Sequence, residues 1–426
     1  MDVGGAVLTQ EQNERLTRIE GDAPMGVLMR EHRWIPALLS MQLVADGPPR
    51  RVRLVGRDHV AFRDSAGSVG FLDEGCPHRN ASLVLGRNEE CGLRCIFHGW
   101  KVDVSGQVVE APTHHPNPEA FAAKVQARRY PTVEAGGLVW VWLGASPPPP
   151  FPHLPFTTLP ASHVWVTATR CRCNWLQGVE ATLDTAHLNT LHSAYVRAYA
   201  DSGAEVVATS LAALAPKYEV APASYGIDAI GVRPLADGGS YVRTSKYVLP
   251  FITLVPGPPG SEQIDGTIFI VSPVDDTHHV LFFGFWSLTH EVNDGRYVEI
   301  PEPQRVAAGE RPFDVEDFGA VDGDRDGNWG QDREAMARGH FSGFTGNLLQ
   351  EDVVTQLSMG PIVDRTREHL SSSDVAIIHA RRALLAALDR LEAGQPPLPG
   401  EPYADHLDVL PTGVVVPAPA RHVTPA

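Results

Sequence analysis

Cys76-Pro77-His78-Arg79 and Cys95-Ile96-Phe97-His98-Gly99-Trp100 decide how this chain is read. Each segment offers one thiol and one imidazole, the Cys two or three residues ahead of its His. Sixteen residues separate His78 from Cys95, enough for a hairpin carrying one loop at each end. Two thiolates and two imidazoles are a possible tetrahedral zinc set. They are also a ligand set for a two-iron cluster, each loop giving one ligand to each iron.

The paired loops fit the second option better: a Rieske [2Fe–2S] centre, in which two His replace two Cys on one iron. Thiolates suit the iron that stays ferric. Neutral imidazoles raise the potential of the other, so an external reductase can fill it. A respiratory-complex Rieske protein carries a further Cys in each loop, and the two form a disulfide. Ala81 and Phe97 stand at those positions here, which points to an oxygenase or a ferredoxin. A Rieske ferredoxin is far shorter than 426 residues, so something else occupies the remainder.

That length suggests two or three domains. A net charge of −16 makes nucleic acid and anionic membranes poor partners. The five Cys are Cys76, Cys91, Cys95, Cys171 and Cys173. An odd, sparse set is no disulfide framework, and free thiols beside a labile cluster fit a reducing cytoplasm. No charged start followed by an apolar run marks a signal peptide, and the longest apolar runs are too short to span a bilayer.

Residues 1–45 read as a polar N-terminal segment with a short helix over Pro24–Leu39. Short apolar runs punctuated by Gly and Asp over residues 46–155 predict a small all-β domain holding both cluster loops. Its end is marked by Ser146-Pro147-Pro148-Pro149-Pro150-Phe151-Pro152, a stiff linker. Residues 156–393 mix helices with strands: a helix over Cys173–Tyr199, strands within 239–255 and 264–287, and a helix over Asn347–Met359. A last helix is capped by Ser372-Ser373-Asp374. Segregation of this kind predicts an α+β domain. Residues 394–426 form a Pro-rich tail, read as a surface arm.

A second ligand set follows the linker: Glu180-x3-Asp184-x2-His187-x4-His192. Two His and a distant carboxylate make the facial triad of a non-haem Fe(II) oxygenase, which leaves one face of the ion open. His187 and His192, five apart, sit about 140° from each other on a regular helix. They converge only if the helix breaks, and the break is expected around Leu188–Leu191. Glu180, Glu351, Asp352 and Asp364 are the available carboxylates.

With both ligand sets in one chain, it resembles the Rieske non-haem iron aromatic-ring-hydroxylating oxygenases, in their catalytic α subunit, over about residues 25–390. Within them it is most similar to the phthalate dioxygenase-like branch. The segments that carry this are Met25-Gly26-Val27-Leu28-Met29-Arg30, Arg33-Trp34-Ile35-Pro36-Ala37 and Cys91-Gly92-Leu93-Arg94-Cys95. Further on come Asn174-Trp175-x2-Gly178-x-Glu180, Pro273-Val274-Asp275-Asp276-Thr277-His278 and Asp332-Arg333-Glu334. Gln350-Glu351-Asp352, Met359-Gly360-Pro361-Ile362-Val363-Asp364-Arg365, Glu368-His369-Leu370 and Ser373-Asp374 complete them.

The resemblance implies an all-β Rieske domain followed by a helix-grip catalytic domain. It implies cluster ligands Cys76, His78, Cys95 and His98, and mononuclear iron ligands His187, His192 and Asp352. Asp184 is then the link between an iron-ligand His and a cluster His of the adjacent subunit, which calls for a homotrimer, single or stacked. The chain has no dinucleotide or flavin fingerprint. Electrons come from NAD(P)H through a separate reductase of flavin and iron–sulfur type. The implied activity is terminal dioxygenation of an aromatic carboxylate. Monooxygenation or O-demethylation of methoxy- or phenoxy-aromatic acids is the alternative, and an electron-transfer-only Rieske protein the rival of another class. Arg243 and Lys217, in strand-like stretches, are candidate partners for the substrate carboxylate. Asp322-x-Asp324-x-Asp326-Gly327 imitates a calcium loop, but position twelve is Arg333, and it reads as a solvated acidic loop.

Overall fold

The strands of this protein range from buried throughout, as over Leu138–Trp142, to alternately buried, as over Gly226–Pro234. The computed structural model describes residues 7–194, 196–197, 216–257, 263–292, 315–398 and 405–418. They form two units, and helix α1 (Gln10–Thr17) already belongs to the larger one.

The smaller unit is Arg18–Phe151 with Ser272–Asp276. After helix α2 (Pro24–His32) come β1 (Trp34–Leu39), β2 (Arg50–Leu54), β3 (Arg57–Arg63), β4 (Val69–Asp73), β5 (Arg87–Glu89), β6 (Gly92–Arg94), β7 (Lys101–Val102) and β8 (Val108–Glu110). A one-turn helix, α3 (Pro118–Ala122), precedes β9 (Thr132–Ala135) and β10 (Leu138–Trp142). They pair as three small sheets, β1-β10-β9, β2-β3-β4 and β5-β6-β7-β8. The helix expected to reach Leu39 stops at His32, and Trp34–Leu39 is strand. Pro36 cannot donate to a helical ladder and drives the residue before it toward extended geometry. As a strand, β1 lies at a sheet edge, where a missing donor is tolerated, and its register shifts between Pro36 and Leu38.

The larger unit holds Met1–Thr17, Pro152–Val271 and Thr277–Ala426. Its elements are β11 (Val164–Cys171), α4 (Trp175–Leu183), β12 (Lys217–Ala223), β13 (Gly226–Pro234), β14 (Ser240–Val248), β15 (Ile252–Pro256), β16 (Gly266–Asp275, the residues from Ser272 on counted with the smaller unit) and β17 (His278–Trp286). Then follow α5 (Arg333–Ala337), α6 (Leu348–Ser358), α7 (Val375–Glu392) and β18 (Thr412–Val416). One sheet takes the order β11-β17-β16-β15-β14-β13-β12, and β18 pairs with β14. The tail is therefore more than a surface arm. Thr412–Val416 adds a strand, with Gly413 opposite Arg243.

Helix α4 lies on β15 and β17 and touches α6 and α7, while α7 crosses β12 and β13. Trp175, Leu176, Val179 and Leu183 supply the buried face of α4. The architecture is α+β, an all-β unit with a helix-and-sheet unit. No helix among the described residues is long and apolar enough to cross a membrane.

A charge network ties α1, α4 and α7 together. Arg365 donates to both oxygens of Glu180 at 2.9 and 2.8 Å, and to Asn13 Oδ1 at 3.3 Å. Arg381 donates to Glu180 at 2.7 Å and to Glu368 at 2.6 and 3.0 Å. Arg365 and Arg381 are buried and the Glu180 side chain is only 12% exposed. Removing one member of such a set strands the others without water. Glu180→Ala is expected to lower the unfolding free energy by about 3–5 kcal/mol. Chemical denaturation followed by tryptophan fluorescence checks this, and an unshifted midpoint contradicts it.

Candidate metal centres

The two cluster loops are near copies of each other. In the first, Asn80 N–H donates to Cys76 O and Cys76 N–H to Ala81 O, each at 2.8 Å. In the second, Gly99 N–H donates to Cys95 O at 3.0 Å and Cys95 N–H to Trp100 O at 2.8 Å. Both loops close through a left-handed residue, Asn80 at φ 61° and Gly99 at φ 73°, a conformation that suits Asn and Gly. The β5–β6 hairpin lies between them. Cys76 and Cys95 are buried and unbridged. Burial and the neighbouring Cys95 sulfur raise the Cys76 thiol to about 11, so a metal is needed to hold it as thiolate. The His78 and His98 rings lie 4.6 Å apart, with His78 stacked on Trp100 at 4.4 Å. His98 Nδ1 is buried with no hydrogen-bond partner, as a metal-ligand nitrogen must be. The donor set and this orphaned nitrogen fit a Rieske cluster.

The second centre is built where α4 ends. Helix geometry stops at Leu183, Asp184 turns extended (φ −78°, ψ 112°), and His187–Asn189 form a single 3₁₀ turn. The expected break at Leu188–Leu191 therefore begins earlier, at Asp184. Of the helix expected over Cys173–Tyr199, Trp175–Leu183 is regular α-helix, and residue 195 and those from 198 on lie outside the described residues. Asp184 makes the early exit favourable. Its Oδ1 accepts the Ala186 N–H at 2.6 Å, replacing a helical bond with a local turn.

With the helix broken, His187, His192 and Asp352 bring their ligand atoms within 4.8 Å of one another. Both Nε2 atoms face Asp352 Oδ1, at 3.4 Å from His187 and 3.0 Å from His192. Each far nitrogen meets a second carboxylate. His187 Nδ1 lies 3.4 Å from Asp184 Oδ2, and His192 Nδ1 donates to Glu351 Oε2 at 2.6 Å. Ser342 Oγ donates to the other Glu351 oxygen. Burial opposes a charge on His192, yet Asp352 and Glu351 overcome it and push its pKa up to about 10. The field that holds a proton there also favours a divalent cation. Burial likewise opposes charge on Asp184, but His187 and the N–H groups of Ala186 and His187 keep its carboxyl below the usual range. This donor set fits ferrous iron, with the outer nitrogens oriented by carboxylates.

The carboxylate alternatives have other duties. Glu180 is committed to Arg365 and Arg381. Asp364 caps the turn at Arg365–Arg367. Glu351 adjoins Asp352 on α6, and neighbours on a helix diverge by about 100°, so it reaches the back of His192 rather than the ion. The Gln350-Glu351-Asp352 run carries that signal, but choosing between the acids needs the helix phase.

Arg243 lines the same cleft as the triad, which is also bounded by Thr182, Val255, Phe269 and Leu281. Lys217 is elsewhere. Its side chain is 79% exposed and pairs with Glu219 at 3.6 Å, because the alternation of β12 turns it outward and its neighbour Tyr218 inward. Cys171 and Cys173 are buried and unbridged, and burial raises both thiols. Among the described residues the Asp322–Asp326 stretch brings together no metal-binding group.

Comparison with known proteins matches residues 33–131 to the Rieske [2Fe-2S] domain and residues 141–417 to the family described as LigXa C-terminal domain like. The chain is 38% identical over 404 residues to the phthalate 4,5-dioxygenase oxygenase subunit of Pseudomonas putida, covering 91% of this chain and 88% of that one. It is 36% identical to the 3-chlorobenzoate-3,4-dioxygenase oxygenase subunit of Comamonas testosteroni, covering 93% and 92%. Crystalline dicamba monooxygenase bound to dicamba superposes with a TM-score of 0.56 at 19% identity over 86% of this chain and 99% of that one, a likeness of fold. Two family domains in order, and relatives of high identity along nearly the whole length, agree with the two ligand sets. The chain belongs to the Rieske non-haem iron oxygenases, as an oxygenase subunit of the phthalate dioxygenase-like group.

Proposed function

We propose that this oxygenase subunit dihydroxylates a single-ring aromatic carboxylate, using O₂ and electrons passed from NAD(P)H by a separate flavin and iron–sulfur reductase. The observation that carries the substrate class is Arg243, a guanidinium on the wall of the cleft that holds the triad. Such a group binds a carboxylate in a two-pronged fashion and fixes which ring edge faces the ligands. Thr182 offers a hydroxyl, while Val255, Phe269 and Leu281 give the apolar walls an aromatic ring needs. When bound, the cluster supplies single electrons and the ferrous ion an open face for O₂ activation.

His187, His192 and Asp352 are the iron ligands in this reading, and Cys76, His78, Cys95 and His98 hold the cluster. Asp184 is the contact through which electrons arrive. Its side chain is 26% exposed in the single chain, so a cluster His from another subunit has access to it. A homotrimeric ring supplies that neighbour, and sedimentation analysis tests it. Unbridged cysteines throughout fit a reducing cytoplasm.

The test offers the iron-loaded protein, a reductase and O₂ with phthalate isomers, chlorobenzoates and methoxybenzoates, and follows product mass. Gain of two oxygens and two hydrogens supports dihydroxylation. Loss of methyl or gain of one oxygen moves the reading to O-demethylase or monooxygenase. Arg243→Ala is expected to lower kcat/KM for the acid about 10- to 100-fold, the worth of a charge-assisted hydrogen bond. Cluster reduction should be normal, and an unchanged KM removes Arg243 from the substrate site.

A further inference from the structure

Strand β13 alternates between faces, and its inward positions are Ile227, Ala229, Gly231 and Arg233. Three are apolar or small, as a core face requires, and the fourth is a guanidinium with no solvent exposure. A buried arginine usually has a carboxylate partner. Among the described residues none forms an ion pair with Arg233, and its Nε and Nη1 have no hydrogen-bond partner. Burial lowers its pKa to about 10, so it keeps its charge at neutral pH. Arg233 is not among the groups lining the substrate cleft, which Arg243 is.

Its hydrogen bonds go to one residue. Nη2 donates at 2.8 Å to both the carbonyl oxygen and the Oγ1 of Thr185. The remaining backbone group of Thr185 is satisfied from the next strand, where Tyr218 on β12 accepts the Thr185 N–H at 3.0 Å. Tyr218 pairs across the sheet with Gly231, whose Cα side faces Arg233 Nη1 and Thr185 Oγ1. Two side chains of the sheet thus take over the hydrogen bonds that α4 gives up when it breaks.

Thr185 is the residue between Asp184 and the turn that carries His187. It is buried, so its backbone groups cannot turn to water. Its two peptide planes set the direction of the Asp184 carboxylate and the start of the His187 turn. We propose that Arg233 and Tyr218 are positioning residues for the mononuclear iron centre, clamping Thr185 so that Asp184 and His187 keep one register. This rests on the assignment of His187 as an iron ligand. It gives a reason for a long cation at a position built for an apolar side chain: one nitrogen at the end of that side chain, Nη2, spans from β13 to both oxygens of Thr185.

The test compares Arg233→Met and Tyr218→Phe with the parent, full-length and iron-loaded. Iron retention against a ferrous chelator, the EPR spectrum of the nitric oxide complex of the ferrous site, and the melting temperature are read together. Arg233→Met removes a desolvated charge at nearly constant volume but leaves the buried Thr185 carbonyl unpaired, and the two effects oppose each other, so its melting temperature should change little. Iron retention should nonetheless fall tenfold or more, the scale seen when outer-sphere partners of a metal ligand are lost, and the nitric oxide spectrum should broaden. Arg233→Lys, which keeps one donor, should restore part of the retention. The Rieske cluster spectrum should be untouched throughout. Unchanged iron retention and an unchanged nitric oxide spectrum in both variants would overturn the proposal. So would loss of iron that merely tracks a fall in melting temperature. If His187→Ala keeps its iron, the ligand assignment itself fails, a separate result.

Discussion

His187→Ala is expected to lose the mononuclear iron and keep the cluster. Iron should fall from about three to about two atoms per chain, since only the two of the Rieske centre remain. His187 supplies one of three ligand atoms that converge within 4.8 Å. Its removal leaves His192 and Asp352, already 3.0 Å apart and able to satisfy each other by hydrogen bonding. Losing a ligand exceeds losing one of its outer partners, which costs 10–100-fold, so product formation should drop more than about a hundredfold. Iron analysis, the visible spectrum and product yield check this. Cys76, His78, Cys95 and His98, the proposed cluster ligands, all lie in the smaller unit, so the visible bands should be those of the parent. Retained iron with normal product would remove His187 from the site.

Asp184→Asn should give the opposite metal signature and a comparable loss of activity. Both metals are present when the protein is loaded with ferrous iron, because all three triad ligands remain, although a chelator should remove the mononuclear iron more readily than from the parent. One Asn atom still accepts the Ala186 N–H that Asp184 Oδ1 takes at 2.6 Å, so the helix exit survives. The change falls on the other side, where Oδ2 faces His187 Nδ1 at 3.4 Å. An amide NH₂ there opposes a ring N–H, and the charge that favours the contact is gone. If electrons arrive through this carboxylate, the reduced cluster should persist in the presence of substrate and O₂, with turnover down about a hundredfold or more. Stopped-flow oxidation of the reduced cluster isolates that step. Normal coupled turnover would assign Asp184 to the helix exit alone.

Much of this was legible in the linear chain because it rests on short-range spacing. The Cys–His loops are each closed within six residues, so their ligand order is a local property of Cys76–Ala81 and Cys95–Trp100. The Ser372–Asp374 cap likewise predicts the start of α7 from neighbouring residues. Reading failed where a distant contact decided. Pro24–Leu39 divides between helix and strand because β1 pairs with β10, about a hundred residues on. The tail looked like an arm because Thr412–Val416 finds its partner only in β14.

The sequence by itself determined the chemistry: two thiols and two imidazoles for a cluster, two further imidazoles and an acid for an open iron, and the family they define. Tertiary structure decided which acid faces both imidazoles. Glu180, Glu351, Asp352 and Asp364 are equivalent as letters, and packing gives each a different neighbour: a buried arginine pair, the back of His192, the open side of both imidazoles, and a helical cap. It also decided where α4 breaks and what the sheet supplies there, since the bonds Thr185 loses to its own helix are restored from strands more than thirty residues away. Ligand type is a property of a residue. Ligand geometry is a property of the distant groups that hold that residue in place.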